Sequence, residues 1–517
     1  MYAVGSSMPL DEFSVIAPST SQSTYSEGNI LRFIIPRNLG FVDTSNSYLE
    51  LEVDVVGNNY PMTFSNDCGA DMLIEFIKFS QNGVQLEQID EYNKLAQVYK
   101  CYGETFNERQ RKSAKDCSRV SNSSQQNNFK QGYTNPTFAP RLGGAGTSDL
   151  NFAMSKKVYL DLNITGMFSM TSLLPIAAIG DVEIEIRFAP NKEVLIVDPN
   201  VKHGHFCDQI SDGATTITLD KRYKGFLNLG QCPFVVGMKV LPKDSDGTSR
   251  TEATISAIQE DKDGTITLTT TAVTTGNTTS SNNTITISSG KDGVVGVASA
   301  TYSVAKANMY LQIVRPPPEY MNALMRQVGG NGLTLDMHTW TCYKGVVKKE
   351  LPSQTLEVPC YSMRAKSMIT SLVAMAPTLS QRADNTQDYD ANGHFEDLET
   401  YQYQTGEKRH PTRPVDVSSL SAPMAPKPSC SHNHELSKAL MASNIPYASF
   451  RRQLECFVIA RAYGRYGATT NLSTTGGSRI YLDYSSSTKP SIDLQALTWC
   501  NHINRVIVSE RGLQVFS

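Results

Sequence analysis

The stretch Tyr48-Leu49-Glu50-Leu51-Glu52-Val53-Asp54-Val55-Val56 alternates apolar and acidic side chains, with Leu49, Leu51, Val53 and Val55 set against Glu50, Glu52 and Asp54. A period of two with carboxylates on one side is the pattern of a β-strand that buries one face and solvates the other. The same texture recurs at Val182-Glu183-Ile184-Glu185-Ile186-Arg187-Phe188. Between them, Met72–Phe79 meets Gln81-Asn82-Gly83 and resumes as Val84–Ile89, a hairpin in which Asn-Gly supplies the positive φ angles of a tight turn. Leu95, Val98 and Tyr99 then fall at helical spacing, so one short helix hangs on a sheet.

Composition extends this texture to the whole chain. Its 517 residues are 40% hydrophobic and 19% charged, rich in Gly, Pro, Ser, Thr and Asn. Single cores stop growing at about 250–300 residues, so at least two are expected, and the turn-rich composition favours an all-β protein. Forty-seven Lys and Arg face 50 Asp and Glu with no long basic run, which argues against sequence-specific or bulk nucleic-acid binding. No window approaches the run of about 20 apolar residues that spans a bilayer, and Met1–Phe13 lacks the regions of a signal peptide, so a soluble chain is expected. Ten cysteines without a CxxC pair read as reduced, buried thiols of an intracellular protein. Sequons at Asn122, Asn163, Asn277, Asn282 and Asn471 then read as by-products of polar loops.

Along the chain the pattern repeats in outline. Polar stretches at Asn107–Leu150 and Pro377–Ser431 read as long loops, and His434–Ala442 as a second short helix. From Phe206 to Val304 Thr, Ser, Asp and Gly dominate, and short strands recur as in a separate small β domain. Pro316-Pro317-Pro318 reads as a stiff extended spacer. The expected organisation is a first jelly-roll β-sandwich over 1–315 interrupted by an inserted β domain at 206–304, a Pro-rich linker at 316–330, and a second jelly roll over 331–517.

Four places carry a family resemblance: the hairpin entering Ile89-Asp-Glu-Tyr-Asn-Lys-Leu95, Leu174-Pro-Ile176 with Gly180-Asp-Val-Glu-Ile-Glu-Ile186, Arg364-Ala-Lys-Ser-Met-Ile369, and Ile492-Asp-Leu494 with Arg505-Val-Ile-Val-Ser-Glu-Arg-Gly512. In their order the chain resembles the double jelly-roll major capsid proteins of polinton-like viruses, adintoviruses and virophages. The resemblance implies a pseudo-hexagonal homotrimer that tiles the icosahedral shell of a double-stranded DNA virus, assembled inside the host cell. It implies penton proteins at the vertices, minor or cement proteins, and outer loops available to a host receptor. The inserted segment would be a tower on the outer surface. The resemblance supplies no catalytic residue and no cofactor.

His203, His205 and Cys207 alternate along an extended segment, as do Cys430, His432 and His434, and either set offers three zinc ligands without a nameable fourth. Chance clustering is the favoured reading, so no metal is expected. Glu50, Glu52 and Asp54, and likewise Glu183 and Glu185, read as solvated strand faces rather than acid–base pairs. Gly143–Gly146 and Gly329–Gly332 lack the strand–turn–helix frame of a phosphate loop. Arg109–Lys112, Lys348–Lys349 and Arg451–Arg452 are too short for more than local contact. A trimeric receptor-binding or tail-spike protein would show short regular repeats or a coiled-coil stem. A secreted β-sandwich carbohydrate-active enzyme would need aromatic-lined clefts, yet Trp340 and Trp499 are the only tryptophans.

Overall fold

The structure, a computed structural model, describes stretches within 11–18, 23–56, 62–118, 157–197, 205–289, 301–374, 398–417, 429–446, 456–484 and 490–516, with short interruptions inside several of them. The first sandwich is built from β1 (Asp11–Pro18), β2 (Ile30–Ile35), β3 (Phe41–Val56), β4 (Ile74–Gln81), β5 (Val84–Asp90), β6 (Lys157–Leu160), β7 (Val182–Phe188) and β8 (Thr301–Arg315). They form two antiparallel sheets, ordered β1-β8-β3-β6 and β2-β7-β4-β5. The second comprises β9 (Leu333–Val347), β10 (Ser353–Val358), β11 (Ala365–Ala374), β12 (Leu398–Thr405), β13 (Lys408–Asp416), β14 (Val458–Ala462), β15 (Ser478–Tyr484) and β16 (Leu494–Ser509). Its sheets run β9-β16-β11-β14 and β10-β15-β12-β13, the same order shifted by eight strands. Alternate strands exchanging between two facing antiparallel sheets in this way is jelly-roll connectivity, and the chain carries it twice.

Alternation explains the inner faces. Leu49, Leu51 and Val53 of β3 and Val182, Ile184, Ile186 and Phe188 of β7 are fully enclosed between the sheets. The outer face of β3 departs from expectation, because Glu50 is only 6% exposed. Tyr48 stacks on Tyr310 at 4.9 Å and meets Tyr159 edge-on at 5.5 Å, and the side chains of Tyr159 and Asn308 reach the Glu50 carboxylate. Neighbouring strands, not β3 itself, cover that carboxylate.

Between β7 and β8 lies a separate six-stranded antiparallel sheet, whose strands include His205–Cys207, Thr216–Thr218, Lys239–Lys243, Ala253–Glu260, Ile266–Thr270 and Asn283–Ser289. Ile217, Val240, Ile255, Leu268 and Ile285 are among its buried residues.

In the segment 316–330, Pro317 is extended (φ −53°, ψ 149°), and a helix, α2 (Pro318–Gly329), follows, with proline in its first turn where the missing amide hydrogen leaves no bond unmade. Leu324 and Val328 bury one side of it, and Tyr320 packs against Phe41 of β3. Leu494 and the run from Arg505 to Ser509, quoted apart in the sequence, belong to the one 16-residue strand β16. The seam explains how it can contain so many polar residues.

Candidate functional site at the seam between the sandwiches

The middle of the sheet β9-β16-β11-β14, at β16 and β11, is buried on both faces. Ala496 and Cys500 point into the second sandwich, while Leu497 and Trp499 point the other way, into a core shared with the first. A strand covered on both sides reads as a nearly continuous buried run, and β16 does so from Ala496 to His502. Part of the second covering is α3 (Cys430–Ala442), whose Leu436, Ala439 and Leu440 are enclosed. The rest is β5 and α1 (Tyr92–Gly103) of the first sandwich.

Polar groups stitch this seam together. The Asn504 amide donates to the Leu86 carbonyl at 3.1 Å, and the Trp499 indole to the Asp90 carbonyl at 3.4 Å. The Tyr102 hydroxyl donates to the Cys456 carbonyl, and Tyr99 meets Trp340 edge-on at 6.0 Å. Glu91, at left-handed φ before α1, receives Lys94 from its own helix and Lys344 from β9. Burial opposes its charge, but the two ammonium groups outweigh that and hold its carboxyl below the usual range.

Glu87 lies beneath the seam at 1% exposure. Its carboxylate accepts the Gly166 amide at 2.6 Å and the Met167 amide at 3.1 Å, which anchors the turn after β6. Burial dominates over these bonds and pushes the carboxyl up to about 7. Gly166 presses against β9 so closely that a Cβ would stand 2.5 Å from the His338 carbonyl oxygen. Below the seam, Lys100 bridges Asp71 at 2.9 Å and Asp116 at 2.6 Å and donates to the Cys68 carbonyl, all out of water. These groups border a cavity of about 220 Å³ that Asn444 and Pro446 close from the second sandwich.

Among the described residues, those singled out from sequence lie at separate places in the fold. His203 lies outside the described residues, as does the His205 side chain, and Cys207 is enclosed in the inserted sheet. Cys430, His432 and His434 lie on α3 rather than on an extended segment, because Ser429 caps a helix there by accepting the His432 amide. Cys430 and His434 are exposed on one side and His432 is enclosed on the other. Its ring stacks on Phe457 at 5.4 Å, and neither ring nitrogen has a hydrogen-bond partner among the described residues. Among the described residues no three His, Cys, Asp or Glu side chains could hold a metal ion. Lys348 and Lys349 are exposed and the Lys349 amide donates to Asp493, while Lys112 pairs with Glu104. Arg109, Arg451, Arg452 and Gly143–Gly146 lie outside the described residues. Gly330 and Gly332 serve the C-terminus of the helix Pro318–Gly329, their amides donating to carbonyls of its last turn.

Sequence reading missed Glu87, Gly166 and the Glu91–Lys344 pair. Glu87 sits on an edge strand with Leu86 buried beside it, so no alternation marks it.

No family model matches the sequence, and no curated protein matches it. Solved structures do. The Faustovirus major capsid protein is similar at a TM-score of 0.53 and 9% identity, over 98% of this chain and 93% of that one. The VP54 protein of PBCV-1, fitted into a reconstruction of the virophage Sputnik, is similar at a TM-score of 0.50 and 10% identity, over 100% and 98%. At such identity the likeness is one of fold, and with the repeated strand order it makes this chain a double jelly roll.

Proposed function

We propose that the chain is a major capsid protein: a structural subunit, not a catalyst, that forms homotrimers tiling the icosahedral shell of a double-stranded DNA virus. The reading rests on one observation, that each sandwich carries the counterpart of a surface the other uses. Inside the chain, β5 lies on the outer face of β9-β16-β11-β14. By strand order its counterpart is β13, which carries exposed Lys408, Arg409, His410 and Arg413. The counterpart of the covered face is that of β1-β8-β3-β6, which carries 51% exposed Ile16, the Tyr48–Tyr310 stack, and the partly exposed acids Glu52 and Asp54. A basic strand on one end and an aromatic face of mixed charge on the other, where Glu52 lies between Lys157 and Lys306, suit a head-to-tail contact between copies. Repeating the internal seam in this way alternates first and second sandwiches around a ring, and three chains give six sandwiches with a pseudo-hexagonal outline.

In this reading 1–315 and 331–517 are the two upright sandwiches, 316–330 joins them, and 206–304 is a tower. The likeness to capsid proteins supports a place in the virion shell beside penton, minor or cement proteins, with outer loops free for a receptor. Size-exclusion chromatography with light scattering and negative-stain microscopy test it: a hexagonal trimer is expected, and a stable monomer under every condition overturns it. Lys408→Glu with Arg413→Glu is expected to leave folded monomers. An intact trimer from that variant overturns the assigned contact.

A further inference from the structure

Arg461 is only 8% exposed although it carries a permanent charge. It lies on β14, opposite Met368 of β11, and reaches across the second sandwich to the facing sheet, where its Nη1 donates to the Thr405 Oγ1 of β12 at 2.9 Å. Its guanidinium also lies 4.3 Å from the centroid of the Tyr463 ring. Two more bases look into the same gap from the hairpin β12–β13. Lys408 is directly opposite Thr405 and His410 directly opposite Tyr403, and opposite residues of an antiparallel pair share a face. Tyr403 is enclosed in the interior and Thr405 holds Arg461, so that face is the inner one. Arg409, between them, is turned outward over the Tyr481 ring, 4.6 Å from its centroid. Because β13 and β14 are the last strands of their sheets, the three basic groups face one another at an open edge, and Lys408 and His410 are exposed there. Among the described residues none of the three has a carboxylate partner. Glu435 of α3, the carboxylate that acts on Arg461, is paired with Lys438 at 2.8 Å. Burial opposes the Arg461 charge, and burial, Arg461 and Lys408 together hold the His410 imidazole below its usual range.

We propose that this edge is a binding site for a divalent oxyanion of phosphate type, reached by the Arg461 guanidinium from one sheet and by Lys408 and His410 from the other. The guanidinium has N–H donors beyond the one given to Thr405, in a planar fork that fits the oxygens of a tetrahedral anion. The Lys408 ammonium adds a second permanent charge on a flexible stem, and the His410 ring adds an N–H. Two permanent charges and several converging donors suit a doubly charged ion with four oxygens better than chloride or a single carboxylate. A buried cation without a counter-ion is costly, and the bound ion supplies that counter-charge while tying β13 to β14 across the open edge. The ligand is the free ion, since the chain has no long basic run to follow a nucleic-acid backbone. The inference does not depend on the capsid reading.

The test titrates the full-length protein with inorganic phosphate at pH 7, by calorimetry and by the midpoint of thermal unfolding, against chloride and acetate at equal ionic strength. Phosphate is expected to bind saturably and to raise the midpoint, and the two monovalent ions to do neither. Lys408→Gln with His410→Gln, both exposed, is expected to keep the fold and to raise the half-saturating phosphate concentration about tenfold or more. Arg461→Met is expected to abolish the response, and Arg479→Gln, on the outer face of β15, to leave it unchanged. A response no larger than that of chloride or acetate overturns the proposal. So does unchanged phosphate binding by the Lys408–His410 double variant, or binding of a short single-stranded oligonucleotide without binding of the free ion. The double variant decides the matter even if Arg461→Met fails to fold, and light scattering of the same samples tells loss of the ion apart from loss of assembly.

Discussion

Replacing Glu87 with glutamine separates the electrostatic cost of the seam from its hydrogen bonds. The wild-type carboxyl is raised from 4.5 to about 7, so the folded state binds a proton that the unfolded state has released. Stability from this group is therefore fully present below about pH 4.5 and is lost as pH rises through about 7. At about 1.4 kcal/mol per unit, the buried charge costs about 1 kcal/mol at pH 5 and about 3 kcal/mol at pH 8. Glutamine removes that slope. Its single carbonyl can serve only one of the Gly166 and Met167 amides, however, so a loss of about 1–2 kcal/mol remains at every pH. Glu87→Gln is thus expected to be less stable than wild type at pH 5 and as stable or more stable at pH 8. The gap between the two thermal midpoints should move by about 5–10 °C across that range. Thermal unfolding of both proteins followed from pH 5 to pH 8 reads it directly. A constant gap would refute the argument that burial governs this carboxyl.

Other substitutions test neighbouring parts of the reasoning. His432 is fully enclosed and lowered from 6.5 to about 4 by burial, so wild type keeps its full stability above about pH 6.5 and loses up to about 3 kcal/mol as pH falls to 4. His432→Phe is expected to flatten that acid limb in chemical denaturation measured at pH 7 and pH 5, with the larger gain at pH 5. Gly166→Ala places a methyl 2.5 Å from backbone that cannot swing aside, and a loss of about 2–3 kcal/mol is expected by denaturant unfolding, together with faster hydrogen exchange in β5 and β9. Lys100→Met leaves Asp71 and Asp116 enclosed without their cation, and the melting curve should report about 3–5 kcal/mol lost at neutral pH, part of it recovered as acid protonates the pair.

Much of the fold can be read from the chain because it is written in near neighbours. The alternation of Leu49, Leu51 and Val53, the Asn82–Gly83 turn and the helix after Glu91 each depend on a few adjacent residues, and the structure has them where the periodicity puts them. The repeat of jelly-roll architecture follows from the same local signals taken twice. An alternation read locally fails where the backbone is not extended: Cys430, His432 and His434 share a face only in a strand, and the Ser429 cap makes that segment a helix.

By itself, then, the sequence determined the class of fold, most of the strands and which side of most of them faces a core, while the hairpin β12–β13 lies within the stretch Pro377–Ser431 that reads as a long loop. Tertiary structure alone decided which outer faces are covered as well. The Glu50 carboxylate is met by Tyr159 of β6 and Asn308 of β8, Glu87 is enclosed by a turn 79 residues away, and β16 by a sandwich whose β5 lies 418 residues from Asn504. A strand's own periodicity distinguishes its two sides, but a side is buried only when another layer is laid upon it. That layer comes from elsewhere in the chain, or in the proposed trimer from another copy.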